Sequence, residues 1–163
     1  MPAWLVRCLA AAMVLMPVTA VADHPAQGTD TRTGVPAVRV VVEPLGPRLR
    51  DNGVTREAVR RAVAAALADT GIPAEADDPA RLHLRLDLRP ATRRFMALSI
   101  ALDLRQHARL ERDPGKVISA ITWTNGAVTP LAEGDYADVP ARVARLVEQT
   151  FVRDFRAANP ASD

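Results

Sequence analysis

Between Arg81 and Thr124, apolar and polar residues alternate through two long runs and into a third. From Arg81 to Arg89 the even positions are Leu82, Leu84, Leu86 and Leu88, and the odd ones are Arg81, His83, Arg85, Asp87 and Arg89. Strict period two buries one face and wets the other, as in an antiparallel strand. After a turn over Pro90–Arg94, Met96, Leu98, Ile100, Leu102 and Leu104 point inward. Ala97, Ser99, Ala101, Asp103, Arg105, His107 and Arg109 point outward. Asp113-Pro114-Gly115 reads as the next turn, because proline presets φ and glycine accepts positive φ. Val117–Thr124 is rich in β-branched residues and reads as a third strand. Asn125-Gly126 suits a hairpin turn into a short edge strand over Ala127–Leu131, where Pro130 is tolerated.

The rest of the chain is arranged to cover one face of this meander. Ala37–Glu43 is a strand, apolar enough on both sides to be central in the sheet. Thr55 is a good helix cap with Glu57 in the first turn. Val59, Val63, Ala66, Leu67 and Thr70 then mark a buried stripe on a helix over Arg56–Thr70, closed by Gly71. Ile72–Ala76 reads as an optional short strand, and Asp77-Asp78 as a solvated turn. Asp138 caps a second helix to Ala157, with Val139, Val143, Leu146, Val147, Phe151 and Phe155 on its apolar side. One apolar sheet face and two apolar helix stripes predict an α+β fold. The expected form is a two-layer sandwich, a mainly antiparallel sheet of four to five strands with both helices on one face.

Composition adds a destination. Arg7, the apolar run Cys8–Ala20 and the Ala20-Val21-Ala22 site read as a signal peptide over residues 1–22. The run is short for a membrane span of about 20 residues, and Pro17 interrupts it, so no stable span is expected after cleavage. Polar residues 23–36 read as a flexible tether, 37–158 as a single domain and 159–163 as a disordered tail. The expected location is periplasmic or secreted. The only cysteine, Cys8, lies in the leader, so no disulfide can staple the mature domain. Basic and acidic residues number 21 and 19, and the leader removes only Arg7. Such a balance gives no argument for nucleic acid.

Candidate chemistry is sparse. His83 and His107 share the outward face with Asp87 and Asp103, which raises a metal site. Keeping even residues inward suggests Arg81 opposite Asp103 and His83 opposite Ala101, which leaves His107 about 20 Å from His83. That is too far for one ion, and no metal or other cofactor is expected. Ser119 could approach His107, but no carboxylate is evident to complete a triad and no pocket to exclude water. Phosphate loops and dinucleotide fingerprints are missing. The outward face does carry eight arginines between Arg81 and Asp113, against four acids. It is either an ordinary solvated face or a docking surface for an anionic partner. Trp123 points either outward beside Arg105, able to stack on it, or inward with Ile121 as core, and core is favoured.

Val-Val-Val-Glu-Pro-Leu at 40–45, Leu-Asp-Leu-Arg-Gln at 102–106, Leu-Glu-Arg-Asp-Pro at 110–114, Thr-Trp at 122–123 and Ala-Asn-Pro at 158–160 together carry a resemblance. It is to a group of small, uncharacterised exported bacterial proteins, across residues 37–160. The resemblance implies export and the extent of the domain, and transfers no catalytic residue. The expected function is that of a non-enzymatic binding or accessory domain docking an envelope protein, or an anionic envelope component, through its open sheet face. Arg105, Gln106, Trp123 and Glu43 are the candidate partner-binding residues. The alternatives are a small hydrolase or anion-binding enzyme using His107, and a structural subunit associating through an edge strand.

Overall fold

The computed structural model describes residues 32, 33, 35, 37–72 and 80–160. The leader, most of the tether, most of the optional strand, Asp77-Asp78 and the last three residues of the tail lie outside them. The fold is α+β, built on a four-stranded mixed sheet in the order β1-β2-β3-β4. The strands are β1 (Arg39–Val42), β2 (Arg81–Pro90), β3 (Phe95–Leu110) and β4 (Asp113–Ala132). β1 runs parallel to β2, and the other two pairings are antiparallel.

Contrary to the expectation from its composition, β1 is an edge strand among the described residues and not a central one. Its apolar residues divide between two environments: Val38 and Val40 are core, whereas Val41 lies beside His83 and stays half-buried. A short helix, α1 (Pro47–Asp51), connects β1 to the next helix, with proline in its first turn. Helix α2 (Arg56–Ala68) forms where its sequence predicts and ends two residues before the expected Thr70. The Thr55 side chain accepts the Ala58 amide at 3.1 Å, Val59, Val63, Ala66 and Leu67 are buried, and Gly71 takes a φ of +79°.

The β2–β3 hairpin keeps the predicted parity but shifts its register by two residues. Arg81 faces Arg105 and His83 faces Asp103. The cause is the turn. Thr92 accepts the Phe95 amide through its hydroxyl at 3.1 Å, and its own amide donates to the Phe95 carbonyl at 3.0 Å. That closes the loop between Thr92 and Phe95 and lets β2 continue through Pro90.

β4 departs further from expectation. Asp113-Pro114-Gly115 opens the strand, and the tight connection falls on Glu111-Arg112. Asn125-Gly126 makes no hairpin: Gly126 pairs with Ala101 inside one continuous 20-residue strand. The glycine is there for close approach, since a Cβ would stand 2.7 Å from the Ile100 carbonyl oxygen. A β-bulge at Thr122 divides β4. Leu104 faces Trp123 while Arg105 faces Ile121, so Thr122 has no opposite number. The bulge reverses parity. Ile118, Ala120 and Trp123 therefore share the side of Leu104, and Ile121 turns to the opposite side.

The C-terminal helix is α3 (Val139–Val147), a π-turn (Glu148–Val152) and α4 (Arg153–Ala158). Val139, Val143, Val147, Phe151 and Phe155 repeat every four residues, which in an ideal α-helix drifts by about 40° per step. The extra residue of the π-turn takes back much of that drift and keeps Phe151 fully buried with Phe155 packed beside the core. One hydrophobic cluster joins these helix residues to α2 and to the even-numbered leucines of β2 and β3. It stops at Leu104 and Trp123. The far half of the β3–β4 hairpin, from Arg105 to Ile121, contributes nothing to it.

Candidate functional site

The strand pairings place the polar residues of the non-core face in rows. Arg39, Arg81, Arg105 and Ile121 form one row across all four strands. Val41, His83, Asp103 and Thr124 form the next. Glu43, just past the end of β1, is held in line by its amide, which donates to the Leu84 carbonyl at 2.9 Å.

From these rows a four-residue charged cluster converges. The Glu43 carboxylate lies 3.9 Å from both His83 Nδ1 and Arg105 Nη2, and Arg105 Nη2 lies 3.9 Å from Asp103 Oδ2. The Thr124 hydroxyl donates to Asp103 at 2.9 Å, which fixes that carboxylate. His83 Nδ1 and Arg105 Nε are each shielded from solvent without a hydrogen-bond partner. Partial burial, and then the Arg105 guanidinium, push the His83 pKa below its ordinary 6.5, against the opposing pull of Glu43. Arg81 behaves differently from Arg105. Arg81 is exposed and makes no ion pair among the described residues, and Arg39 is exposed on β1.

Beside the cluster three apolar side chains stand exposed along β4, separated by Ser119, Thr124 and Gly126. Val117, Ile121 and Val128 are 51%, 57% and 70% exposed, and all three lie on the non-core side of β4. Single exposed apolar residues need no explanation, but three along one terminal strand next to a charged cluster are a candidate contact surface.

The structure therefore brings Glu43 and Arg105 together and adds His83 and Asp103, whose place depended on a register that the alternating pattern alone leaves two residues off. Gln106 is half-buried on the core side of the sheet, opposite Ala120. Trp123 is 8% exposed and faces the core, where its indole N–H donates to Asp154 at 3.1 Å and its ring meets Phe151 edge-on at 5.3 Å. It cannot stack on Arg105, which projects from the other side. His107 faces Ser119, both exposed, and no hydrogen bond ties that imidazole to a carboxylate among the described residues. No group of three His, Cys, Asp or Glu side chains among the described residues is placed to hold a metal ion. No helix among them is long and apolar enough to cross a membrane.

No family model matches the chain, and no curated protein matches it. A solved structure similar to it is that of a PelC variant dodecamer from Paraburkholderia phytofirmans, at 15% identity and a TM-score of 0.41. The match covers 71% of this chain and 85% of that one. A likeness so distant does not bear on the site.

Proposed function

We propose that the protein is an exported, non-enzymatic binding domain that docks an anionic envelope component through the sheet face opposite its core. In this reading the fold is a two-layer sandwich: α2 and the C-terminal helix cover only the even-residue face of β2 and β3, which leaves the other face for the partner. Export is supported by the leader-like residues 1–22, with Arg7, the Cys8–Ala20 run and the Ala20-Val21-Ala22 site. The resemblance to small exported bacterial proteins agrees with it.

The observation that carries the docking reading is the arginine row. Arg39, Arg81 and Arg105 stand on adjacent strands at directly opposed positions. Neighbouring strands lie about 4.8 Å apart, and like charges directly opposite each other cost stability. Arg81, the middle member, makes no ion pair among the described residues, and a guanidinium so placed suits a carboxylate or phosphate on a partner. Ile121 ends the row, and Val117 and Val128 extend its apolar border. Arginine is enriched in contact surfaces, and exposed apolar side chains stand along the same face.

The test is site-specific photocrosslinking in cells, with the crosslinking residue placed at Ile121, at Val128 and, as a control, at Ala65 on the outer side of α2. Adducts from the two β4 positions that vanish in an Arg81→Glu/Arg105→Glu variant support the reading. Adducts from Ala65 alone would move the surface to the helices and sink it.

A second reading has its own observation. Among the described residues β4 is a terminal strand of 20 residues, and no strand among them pairs with its outer edge. A structural subunit joined through that edge would show a concentration-dependent mass in sedimentation, and a monomer at every concentration would exclude it.

A further inference from the structure

A cleft of about 420 Å³ opens where β1 hands over to α1 and α2, lined by Pro44, Leu45, Arg50, Val54, Thr55 and Arg56. Its size is that of a small-molecule site. Leu45 and Val54 are buried and give it an apolar floor. Arg50 and Arg56 are exposed at its walls, and neither makes an ion pair among the described residues. The nearest acid in the sequence on α2 is already engaged. Glu57 receives Arg60 twice, Nε at 3.1 Å and Nη2 at 2.9 Å, and lies 3.9 Å from Arg61. The hydrogen bond from Arg60 lowers the Glu57 pKa, so that carboxylate stays charged and committed to its own helix. The Thr55 hydroxyl accepts the Ala58 amide and keeps its own proton to donate.

The lining therefore combines two guanidiniums that have no carboxylate, one hydroxyl donor and an apolar floor. We infer that this cleft is a binding site for a small organic monocarboxylate with an aliphatic body. The carboxylate sits between Arg50 and Arg56, and the chain lies over Leu45 and Val54. Guanidinium groups match carboxylates geometrically, and the apolar floor would be wasted on a bare inorganic anion. The site is separate from the sheet-face surface and stands whether or not that surface docks a partner.

Octanoate is a suitable probe, titrated into the labelled protein while amide NMR shifts are followed. Saturable shifts confined to residues 44–58 are expected. Affinity should fall at least about tenfold in Arg50→Gln/Arg56→Gln, or about 1.4 kcal/mol. Arg50→Lys/Arg56→Lys should recover part of that loss, and Arg105→Ala should leave binding unchanged. Octanamide, which lacks the charge, and inorganic phosphate, which lacks the chain, should each bind more weakly. Equal binding of octanamide or phosphate would overturn the inference, as would shifts scattered over the surface or no saturation.

Discussion

His83 shows how much a single side chain can be governed by its row. It meets Glu43 from just past the end of β1, Asp103 and Arg105 from β3, and Arg81 two residues earlier on its own strand. Partial burial and the two arginines outweigh the carboxylates, so its folded pKa lies below the ordinary value of 6.5. The unfolded chain then takes up a proton more readily than the folded one, and acid favours unfolding. The stabilising contribution of neutral His83 is fully present above about pH 6.5 and is lost as the pH falls through the folded pKa. Urea midpoints at pH 7.5 and pH 5 should therefore differ more for the wild type than for His83→Gln. A wild type and variant with parallel pH profiles would show that the protonated imidazolium is not disfavoured by its surroundings.

At the level of elements, the leucine alternation of β2 and β3, the Thr55 cap and the two amphipathic helices were legible because each is a local pattern with one period. What stayed hidden depended on atoms that local pattern does not reach. The Thr92 hydroxyl moves the β2–β3 register by two without disturbing parity, and so decides which charges meet. Asn125-Gly126 carries the composition of a tight turn, but the glycine serves a close approach to Ile100. Trp123 was ambiguous for a definite reason: Ile118 and Ile121 disagree in parity, and the disagreement is the Thr122 bulge. Thr122 is the extra residue of the bulge, and its hydroxyl donates to the Leu104 carbonyl at 3.4 Å. Its deletion should leave every β3–β4 pair as it is, at a cost of about 1 kcal/mol for the lost hydrogen bond. Deletion of Ala127 should behave differently. It would push Trp123 onto the outer face, at about 3 kcal/mol or more, by the parity rule for strands. Urea unfolding, followed by tryptophan emission, distinguishes the two; similar losses for both would mean that the bulge is not a slack residue. The π-turn was equally invisible, although the strict four-residue repeat from Val139 to Phe155 was its trace.

For the whole molecule, the sheet order brings three arginines of a nearly neutral chain into one row, beside Glu43 and Asp103. Arg39, Arg81 and Arg105 are far apart in sequence, and only the parallel pairing of β1 with β2 lines them up. No composition argument could find this, since the chain as a whole carries +2. Arg81 is the middle member, with a guanidinium on each neighbouring strand and no ion pair among the described residues. Replacing it with threonine removes two like-charge oppositions and substitutes a good strand former. Arg81→Thr should therefore raise the unfolding free energy by about 0.2–1 kcal/mol at low salt. The gain should shrink at about 1 M salt, where the screening length is about 3 Å, shorter than the strand spacing. If the row is a docking surface, the same substitution should weaken crosslinking at Ile121 and Val128 while the fold becomes more stable. Stability and partner capture moving in opposite directions would separate a functional row from an incidental one. A substitution that lowers both would mean that Arg81 holds the sheet together, and the argument from like charges would fail.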